Sequence, residues 1–316
     1  MNVAYRQEQV HMTAESYPSY LELARSGELQ SLALRLEEEL RSCRLCPREC
    51  GADRVLEPQK ALCGVGERAL VSSANPHFGE EPPITGRRGS GTIFFAGCNL
   101  RCWFCQNADI SHGRLGREID AEQLAALMLY LQELGCHNIN LVSPSHVVAQ
   151  VVAALVIAVE NGLRLPLVYN SGGYDSVETL RLLDGVVDIY MPDLKYSDAR
   201  NARRLSGASD YPVVARAALK EMHRQVGDLV VGPDGAAVRG LLVRHLVLPN
   251  GLAGTEDSMR FLAREISAGT CVNVMAQYRP CYKAYKRPEV NHPLRREEHA
   301  AAVEAARREG LYRFAF

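Results

Sequence analysis

Short apolar runs alternate with longer amphipathic segments over most of the chain after residue 90. The runs predict buried strands, and the segments predict helices. The predicted strands are 91–96, 138–142, 165–169, 186–191, 241–248 and 271–276. The predicted helices are 121–134, 147–161, 176–183, 212–226, 255–267 and 295–308. This alternation favours an α/β fold whose parallel sheet, with right-handed crossovers, forms a partial (β/α)6 barrel of the TIM type.

The part of the chain before the barrel follows a different pattern. Leucines recur among charged residues over 17–42 and predict a helix, and a cysteine-rich, loop-like segment follows over 41–67. Before the fifth strand, a Pro-Asp-Gly turn predicts a small inserted hairpin over 230–238. The predicted divisions are an N-terminal helix with a cysteine-rich metal-binding segment (1–70), the barrel (71–285) and a C-terminal helical extension (286–316).

Composition and charge exclude some classes of partner. The net charge of the 316-residue chain is −1, so no bulk attraction to nucleic acid or to an anionic membrane is expected. The longest apolar stretch, 147–159, contains Gln150 and is too short to span a bilayer. The polar start of the chain lacks the apolar core of a secretory signal. Ten cysteines, many at ligand spacings, indicate bound metal in a reducing cytoplasm rather than disulfides.

Three cysteines after the first predicted barrel strand carry the chemistry. Cys98, Cys102 and Cys105 have the spacing C-x3-C-x2-C. Three thiolates on one loop would hold three irons of a [4Fe–4S] cluster and leave the fourth iron open to a cofactor. The alternatives are a zinc loop and a buried group of reduced thiols. The loop is expected at the C-terminal edge of the barrel strands, where the sites of such barrels are built.

This motif is identified as the signature of the radical S-adenosylmethionine (SAM) superfamily. Its surroundings resemble the corresponding segment of pyruvate formate-lyase activating enzymes, and most of the chain resembles an uncharacterised branch labelled as similar to those enzymes. The resemblance implies a partial barrel, a [4Fe–4S] cluster on Cys98, Cys102 and Cys105, and SAM bound at the open iron. It also implies reductive cleavage of SAM to a 5′-deoxyadenosyl radical, which abstracts hydrogen from a substrate.

The resemblance further implies which strand-end residues contact SAM. Asp193 and Lys195 match an Asp-x-Lys at the end of the fourth strand. SAM carries an ammonium, a sulfonium and a carboxylate, so an acid and a base on one face of a strand end complement it. The alternative for this pair is a surface salt bridge or a helix cap. The other cofactor-binding candidates are Phe104, Ser143, Asn170, Ser171 and Arg244.

Several of these candidates have structural alternatives. Arg244 could equally pair with Asp193 inside the barrel, and Asn170 and Ser171 could serve the tight glycine turn that follows them. At the end of the second strand, many family members have Gly-Gly-Glu, whose backbone and carboxylate hold the SAM ammonium. This chain has Ser-Pro-Ser-His over 143–146 instead, which leaves backbone carbonyls near Ser143 for that contact. The serine at 145 would then cap the following helix.

A second group of cysteines precedes the barrel. Cys43, Cys46, Cys50 and Cys63 lie in a segment with several glycines, which give the backbone freedom to wrap a metal. Four thiolates close either a structural zinc site or a second Fe–S cluster, and zinc is the minimal interpretation. Four free cysteines are the third alternative.

Candidate substrate contacts lie before the first barrel strand and after the last. His77, Glu80 and Glu81 belong to the polar segment 75–83, which shows no helical or strand period and is either a solvated connector or a pocket wall. Gln277 and Arg279 follow the sixth strand, and Arg279 could bind a carboxylate.

The candidate catalytic residues are Tyr278 and His77. A tyrosine at the barrel mouth could donate a hydrogen atom or a proton, and ordinary packing is its alternative.

Three functions follow from these observations. The first is a radical SAM enzyme, of oxidoreductase or lyase type, that acts on a small molecule. The second is an activase that modifies a glycine of a glycyl-radical enzyme, although such activases carry extra cysteines after the motif rather than before it. The third is a non-catalytic Fe–S or zinc protein. Both enzymes would take an electron from a donor such as flavodoxin or ferredoxin.

Overall fold

The computed structural model describes residues 17–315 and contains all six predicted barrel strands. The strands are β1 (Ala69–His77), β2 (Ser90–Phe95), β3 (Arg117–Ile119), β4 (Ile139–Val142), β5 (Leu167–Ser171), β6 (Ile189–Pro192), β7 (Val230–Val231), β8 (Ala237–Leu246), β9 (Cys271–Met275) and β10 (Arg313–Phe314). The α-helices are α1 (Tyr20–Ser26), α2 (Glu28–Glu38), α3 (Pro82–Thr85), α4 (Ala108–Ser111), α5 (Ala121–Glu133), α6 (Val148–Glu160), α7 (Val177–Leu182), α8 (Ala199–Ser206), α9 (Tyr211–Val226), α10 (Thr255–Phe261) and α11 (Arg296–Arg308). Single turns of 3-10 helix are Glu39–Ser42, Pro58–Lys60, Pro144–His146, Pro249–Gly251, Ala284–Lys286 and Pro288–Val290, and a π-helical turn, Leu262–Ile266, continues α10.

One sheet runs through these strands in the order β10-β9-β8-β6-β5-β4-β2-β1-β3, with β7 paired to β8. Neighbours from β2 to β10 along this path are parallel. Strand β1 is antiparallel to both β2 and β3. Parallel strands with helical crossovers form the partial (β/α)6 barrel that the sequence predicts. Strands β5 and β6 are buried along their whole length, which explains their continuous apolar runs.

The barrel interior has an apolar layer near the strand starts and a polar layer above it. Val168 on β5 and Leu242 on β8 belong to the apolar layer, together with Ile84 from α3. The segment after β1 therefore plugs this end of the barrel. Two residues further along the same strands stand Asn170 and Arg244, which share the inward face because side chains alternate along a strand.

Segment 75–77 is a correction to the sequence prediction, which gave it no strand period. These residues end β1, and His77 pairs with Ser90 of β2. Only Ala69–Val71 of β1 has β3 on its other side, so the end of the strand lies at a sheet edge. Pro76 is tolerated there, because a proline at an edge removes no interior hydrogen bond.

Two helices also differ from the prediction. The helix predicted over 17–42 is divided by Gly27, which has a left-handed φ of 80° between α1 and α2. Helix α8 was not predicted, because its arginine-rich sequence has little apolar period. The hairpin predicted over 230–238 is present, and its second arm is the start of β8.

The first described helices pack on the barrel's helical layer. The backbone N–H and the hydroxyl of Ser19 both donate to buried Asp188, at 2.9 and 2.8 Å, and the Tyr20 hydroxyl donates to the Leu165 carbonyl. The division of the chain at residue 70 stays a prediction. Within residues 17–315, no helix combines the length and the apolar character needed to cross a bilayer.

Candidate active site

The three cysteines of the motif lie on the loop that leaves β2. Gly97 opens this loop with a φ of 82°. The backbone N–H groups of Arg101 and Trp103 donate to the carbonyls of Ser206 and Leu205, at 3.1 and 2.8 Å. The C-terminal end of α8 therefore holds the loop in place, although the two segments are distant in sequence.

Each thiol of this loop has a hydrogen-bonding neighbour. The Leu100 N–H donates to Cys98 Sγ at 3.4 Å, Ser206 Oγ donates to Cys102 Sγ at 3.0 Å, and Cys105 Sγ lies 3.1 Å from Ser111 Oγ. Hydrogen bonds to sulfur are characteristic of Fe–S sites. Burial raises the pKa of the Cys98 thiol to about 12. Bound iron would favour the thiolate, so these three soft donors fit an Fe–S cluster.

A charged network stands where the fourth and fifth barrel strands end. Asp193 accepts from Lys195 Nζ at 2.5 Å and from Arg244 Nε at 2.9 Å. Burial alone would raise the pKa of Asp193, but Arg244 and Lys195 together hold it below its usual range. The charge of Lys195 also acts on Cys98 and Cys102, where it opposes the effect of burial on the thiol pKa. The network therefore connects the cysteine loop to the barrel interior.

Gly173 and Tyr211 fix the strand end that carries this network. A Cβ atom on Gly173 would collide with the Asp193 carbonyl oxygen. The Tyr211 hydroxyl donates to the carbonyls of Gly172 and Asp193, both at 2.9 Å, and accepts from the Lys195 N–H. The tight glycine turn is thus a close backbone approach that positions Asp193 and Lys195.

Deeper in the barrel, Arg244 meets Asn170 and Glu80. Its Nη2 donates to Asn170 Oδ1 at 2.7 Å, and its Nη1 lies 3.4 Å from Glu80 Oε2. Glu80 also accepts from Asn140 Nδ2 at 3.2 Å. Burial raises the pKa of Glu80, and Arg244 opposes this. The predicted pair of Arg244 with Asp193 and the predicted site residue Glu80 therefore belong to one network.

Glu81 completes this polar layer from the other side. Its Oε1 accepts from Asn273 Nδ2 of β9 at 2.8 Å. Glu80, Glu81, Arg244 and Asn273 line a cavity of about 300 Å³ that extends to His299 of α11. Of the two alternatives for segment 75–83, the structure thus supports a pocket wall for Glu80 and Glu81.

Ser171 does not share this interior. Its hydroxyl donates to Asp175 Oδ2, while Asp175 Oδ1 accepts from Ser145 and from Tyr169. Ser171 and Asn170 are adjacent on β5, so they face opposite sides of the sheet. The expectation that Ser145 caps the next helix is wrong, because its hydroxyl is committed to Asp175 and α6 has no side-chain cap.

Two other cofactor candidates lie on loops that follow barrel strands, one after β4 and one between the motif cysteines. Ser143 has a φ of 61° and donates its N–H to the Asn170 carbonyl at 2.8 Å, so its backbone lies at the end of the second barrel strand as expected. Phe104 is buried and packs edge-on against Tyr278, with ring centroids 5.6 Å apart.

Of the remaining candidates, Gln277 joins the wall of the polar cavity and the others lie elsewhere. The Tyr278 hydroxyl donates to the Val290 carbonyl at 2.5 Å, which favours its packing alternative. His77 lies at the opposite end of β2 from the cysteine loop and packs edge-on against Phe94. Gln277 lines the cavity with Glu80 and Glu81, and its backbone carbonyl accepts from Gln106 Nε2 at 3.1 Å. Arg279 is exposed beyond β9.

Sequence reasoning missed a contact that covers the cysteine loop. The Lys283 N–H donates to the Trp103 carbonyl at 3.0 Å. The Arg287 guanidinium lies over the Trp103 ring, 4.5 Å from its centroid. His112 stacks on Tyr282 at 4.5 Å. We call residues 281–287 the clasp. Its only sequence signal is the group of cations and aromatics in this segment.

The second cysteine group packs directly against this loop. A Cβ atom on Gly97 would lie 2.9 Å from the Cys63 carbonyl oxygen, and Arg101 Nη2 donates to the Leu62 carbonyl at 2.6 Å. Buried Arg54 lies beside the group, with Nη1 3.6 Å from Cys43 Sγ. Within residues 17–315, no three His, Cys, Asp or Glu side chains are arranged around a single-ion site.

The partial barrel and the cysteine loop fit a class of iron–sulfur enzymes, and comparison with known proteins identifies the family. A model of the radical SAM superfamily matches residues 92–235, which contain the three cysteines of the motif. An uncharacterized protein of Methanocaldococcus jannaschii is 32% identical over 281 residues, which are 86% of this chain and 76% of that protein. The chain belongs to the radical SAM superfamily and is a radical SAM enzyme. Membership implies a [4Fe–4S] cluster and SAM, and the narrower branch stays a prediction.

Solved structures show more distant likeness. A radical SAM methyltransferase from Sphaerobacter thermophilus has a TM-score of 0.47 at 16% identity, over 71% of this chain and 66% of that chain. Streptococcus suis SuiB bound to precursor peptide SuiA has a TM-score of 0.46 at 10% identity, over 69% of this chain and 46% of that chain. The reaction and substrate of neither protein transfer to this chain at such distance.

Proposed function

We propose that this enzyme abstracts hydrogen from a small molecule bound inside the barrel. The observation that carries the proposal is the clasp, which covers the cysteine loop beside a polar cavity. When bound, a [4Fe–4S] cluster and SAM supply a 5′-deoxyadenosyl radical. The task of the protein's own residues is to bind, to orient and to exclude water.

Cys98, Cys102 and Cys105 would hold the cluster. Their partners Ser206 and Ser111 orient the thiols, and hydrogen bonds to sulfur tune the potential of such a site. The fourth iron would stay open, because this loop supplies three cysteines.

Asp193, Lys195 and Arg244 would receive the charged ends of SAM. Lys195 lies close enough to Cys102 for their charges to act on each other, and Asp193 lies between Lys195 and Arg244. A carboxylate and an ammonium on the ligand would complement these opposite charges. Asn170 and the backbone at Ser143 would add neutral contacts at the same strand ends.

The clasp favours a small molecule over a protein glycine. An activase must admit a backbone loop of its partner to the reacting centre, which requires an open mouth. Here a backbone hydrogen bond and an Arg287–Trp103 contact close the segment after β9 against the cysteine loop. A cavity of about 300 Å³ is suited to a metabolite-sized ligand.

The same segment would receive the electron donor. Residues 279–287 contain Arg279, Lys283, Lys286 and Arg287 and no acidic residue, while the whole chain has a net charge of −1. Exposed Arg203 of α8 follows on the other side of the cysteine loop. A cationic surface so close to the cysteines fits an acidic one-electron donor such as flavodoxin or ferredoxin.

The N-terminal cysteines would hold a second metal. Zinc and a second Fe–S cluster can each take four thiolates, and for zinc the four side chains would have to move closer together, because among residues 17–315 no three such side chains surround a single-ion site. The charge of Arg54 would offset the negative charge of either site. A reducing, cytoplasmic location would keep these thiols free to bind metal.

The test is anaerobic reconstitution with iron and sulfide, then dithionite and SAM, with 5′-deoxyadenosine as the readout. We expect 5′-deoxyadenosine from the wild type and none from the Cys98→Ala/Cys102→Ala/Cys105→Ala variant. Adding cell extract separated by mass tests the substrate class, and we expect the low-mass fraction to stimulate the reaction. Failure to load a cluster on the three cysteines would overturn the proposal, and stimulation by the protein fraction alone would favour the activase.

A further inference from the structure

Two hydrogen-bond acceptors in the polar layer of the barrel have no partner. Glu81 is 6% exposed, and its Oε2 is buried with no hydrogen-bond donor among residues 17–315. Asn140 is fully buried, and its Oδ1 likewise has no donor among the described residues. Buried polar atoms are nearly always satisfied in native proteins, so these two point to something that the chain alone does not provide.

The other atoms of both side chains are well held. Glu81 Oε1 accepts from Asn273 at 2.8 Å, and Asn140 Nδ2 donates to Glu80 at 3.2 Å. These bonds orient both side chains and leave one oxygen of each without a hydrogen-bond partner. Since both orphan atoms are acceptors, the missing group must be a hydrogen-bond donor.

The charges of the same layer are also unbalanced. Counted by formal charge, the carboxylates of Glu80, Glu81 and Asp193 face the cations Arg244 and Lys195. Both cations are engaged with Asp193, and Arg244 also reaches Glu80. Glu81 hydrogen-bonds a neutral amide instead, and Arg244 acts on it through its charge without a hydrogen bond. Three carboxylates thus share two cations, and the buried layer carries one more negative than positive formal charge, which is costly.

Space for a ligand adjoins this carboxylate. Glu80 and Glu81 both line the cavity of about 300 Å³, whose other wall is formed by β9 and His299. The carboxylates stand on the plug segment below the strand ends that carry Asp193, so a ligand here would lie under the proposed SAM site.

We infer that this cavity binds a small amine, whose ammonium pairs with the carboxylate of Glu81 in the cavity wall. The inference rests on the proposed function, because it names the chemical class of that enzyme's substrate. The ammonium would supply Glu81 with a hydrogen-bond donor and the layer with a positive charge, whereas a carboxylic acid or phosphate would add to the excess of acids. The carbon chain of the amine would extend from the plug segment toward the strand ends.

Binding of three simple probes of equal size tests this inference on the reconstituted protein. Butylamine, butanol and butyrate carry a positive, a neutral and a negative head group. Affinities for such small compounds are expected in the millimolar range, on the order of 1–10 mM. We expect butylamine at tenfold excess over its Kd to raise Tm by about 2 °C, and the other two probes to have no effect. Ligand-observed NMR gives the Kd independently.

A matched pair of variants locates the site. Glu81→Gln removes the charge and keeps the bond to Asn273, and we expect its Kd for butylamine to rise by at least about tenfold. Glu67→Gln makes the same change on an exposed carboxylate outside the cavity and should leave the Kd unchanged.

Equal binding of all three probes, binding of none, or an unchanged Kd in Glu81→Gln would overturn the inference. The wild-type comparison of the probes decides the matter even where Glu81→Gln does not fold. Assaying 5′-deoxyadenosine in the same preparations separates the two proposals. Its formation without amine binding removes only this inference, whereas amine binding without its formation removes only the proposed function.

Discussion

Two cysteine groups lie side by side in this protein, and their surroundings differ. Cys98 and its partners on the loop after β2 face Lys195 and the polar interior of the barrel. The N-terminal group contacts the outer side of that loop, where the Cys63 carbonyl approaches Gly97. Both groups offer soft donors at metal spacing, but only the first adjoins charged side chains able to hold a second ligand.

The N-terminal group is instead held by hydrogen bonds within its own segment, with Cys43 and Cys63 buried and Cys50 exposed. The Cys43 N–H donates to the Ala52 carbonyl, and the Gly51 N–H returns to the Cys43 carbonyl, both at 3.0 Å. The Arg54 side chain is 1% exposed and donates to the Val65 carbonyl at 2.7 Å. Four cysteines in a segment held in this way suit a fully ligated metal that stabilises the fold or passes electrons. Coordinating residues alone therefore do not define a reactive site, because the polar side chains around them decide what else can bind.

The largest expected effect comes from one serine substitution in each group. Cys102→Ser should lower 5′-deoxyadenosine formation with dithionite by at least about 100-fold, because the cluster loses one of its three protein ligands. Cys46→Ser should lower it by less than about tenfold, because the second metal does not bind SAM in our proposal. Equal losses in both variants would show that the two groups act as one unit. Iron, sulfide and zinc contents of each variant identify the metal that is lost.

Arginine substitutions separate the two regions in the same way. Arg244→Gln should lower 5′-deoxyadenosine formation by about 10- to 100-fold, because Asp193 and Asn170 lose the group that orients them. Arg54→Gln is the control, since the hydrogen bonds of Arg54 go to Cys43, Val65 and Gly66, all before the barrel. This variant should leave the reaction within about threefold of wild type. The measurement is the initial rate at saturating SAM. A larger loss in Arg54→Gln than in Arg244→Gln would contradict the assignment of SAM to the barrel side.

A smaller effect is expected at the surface of the clasp. Lys283→Glu/Lys286→Glu should slow the reaction driven by reduced flavodoxin by about three- to tenfold, because an acidic donor loses its cationic docking face. With dithionite, which needs no docking face, the rate should equal that of wild type. The flavodoxin effect should also shrink as salt is added. Equal slowing with both reductants would instead indicate damage to the Lys283–Trp103 contact.

How far the sequence predicted this arrangement depends on the distance between the residues involved. The cysteine loop and the six strands are confirmed, because their signals are local in the chain. Asn170 and Ser171 were predicted as one pair, although neighbours on a strand face opposite sides. Strand alternation alone would have placed the two side chains on opposite faces of the sheet. Choosing Asn170 as the inward residue also requires the register between β5 and β6, which relates Asn170 to inward-facing Asp193.

Long-range contacts were beyond the sequence. Glu80 and Glu81 reach Arg244 and Asn273, which follow them by more than half the chain, and no local pattern predicts that approach. The clasp is a second case, since Lys283 and Trp103 meet through backbone atoms, which leave no mark on residue identity. Tyr278 shows the converse, because a residue type with catalytic potential makes a packing contact once its hydroxyl finds Val290.

The smallest expected effect is on the free energy of unfolding rather than on metal binding or activity. It is expected at His245. Its Nδ1 lies 2.6 Å from the Leu194 carbonyl and its Nε2 2.9 Å from Thr255 Oγ1, so it supports the strand end between Asp193 and Lys195 from the outer side. Burial lowers the pKa of His245 to about 4, below its ordinary value. As pH falls below about 6.5 the unfolded chain takes up a proton that the folded protein excludes, so stability decreases. Between pH 7 and pH 5.5 this single residue should remove about 1 kcal/mol. In His245→Gln, where the amide keeps both contacts without titrating, thermal unfolding should depend less on pH by that amount. An unchanged pH dependence would mean that the folded protein accommodates the imidazolium. Loss of iron from His245→Gln at pH 7 would have a different meaning. It would show that the strand end held by His245 affects the cysteine loop, and does so more strongly than one cysteine group affects the other.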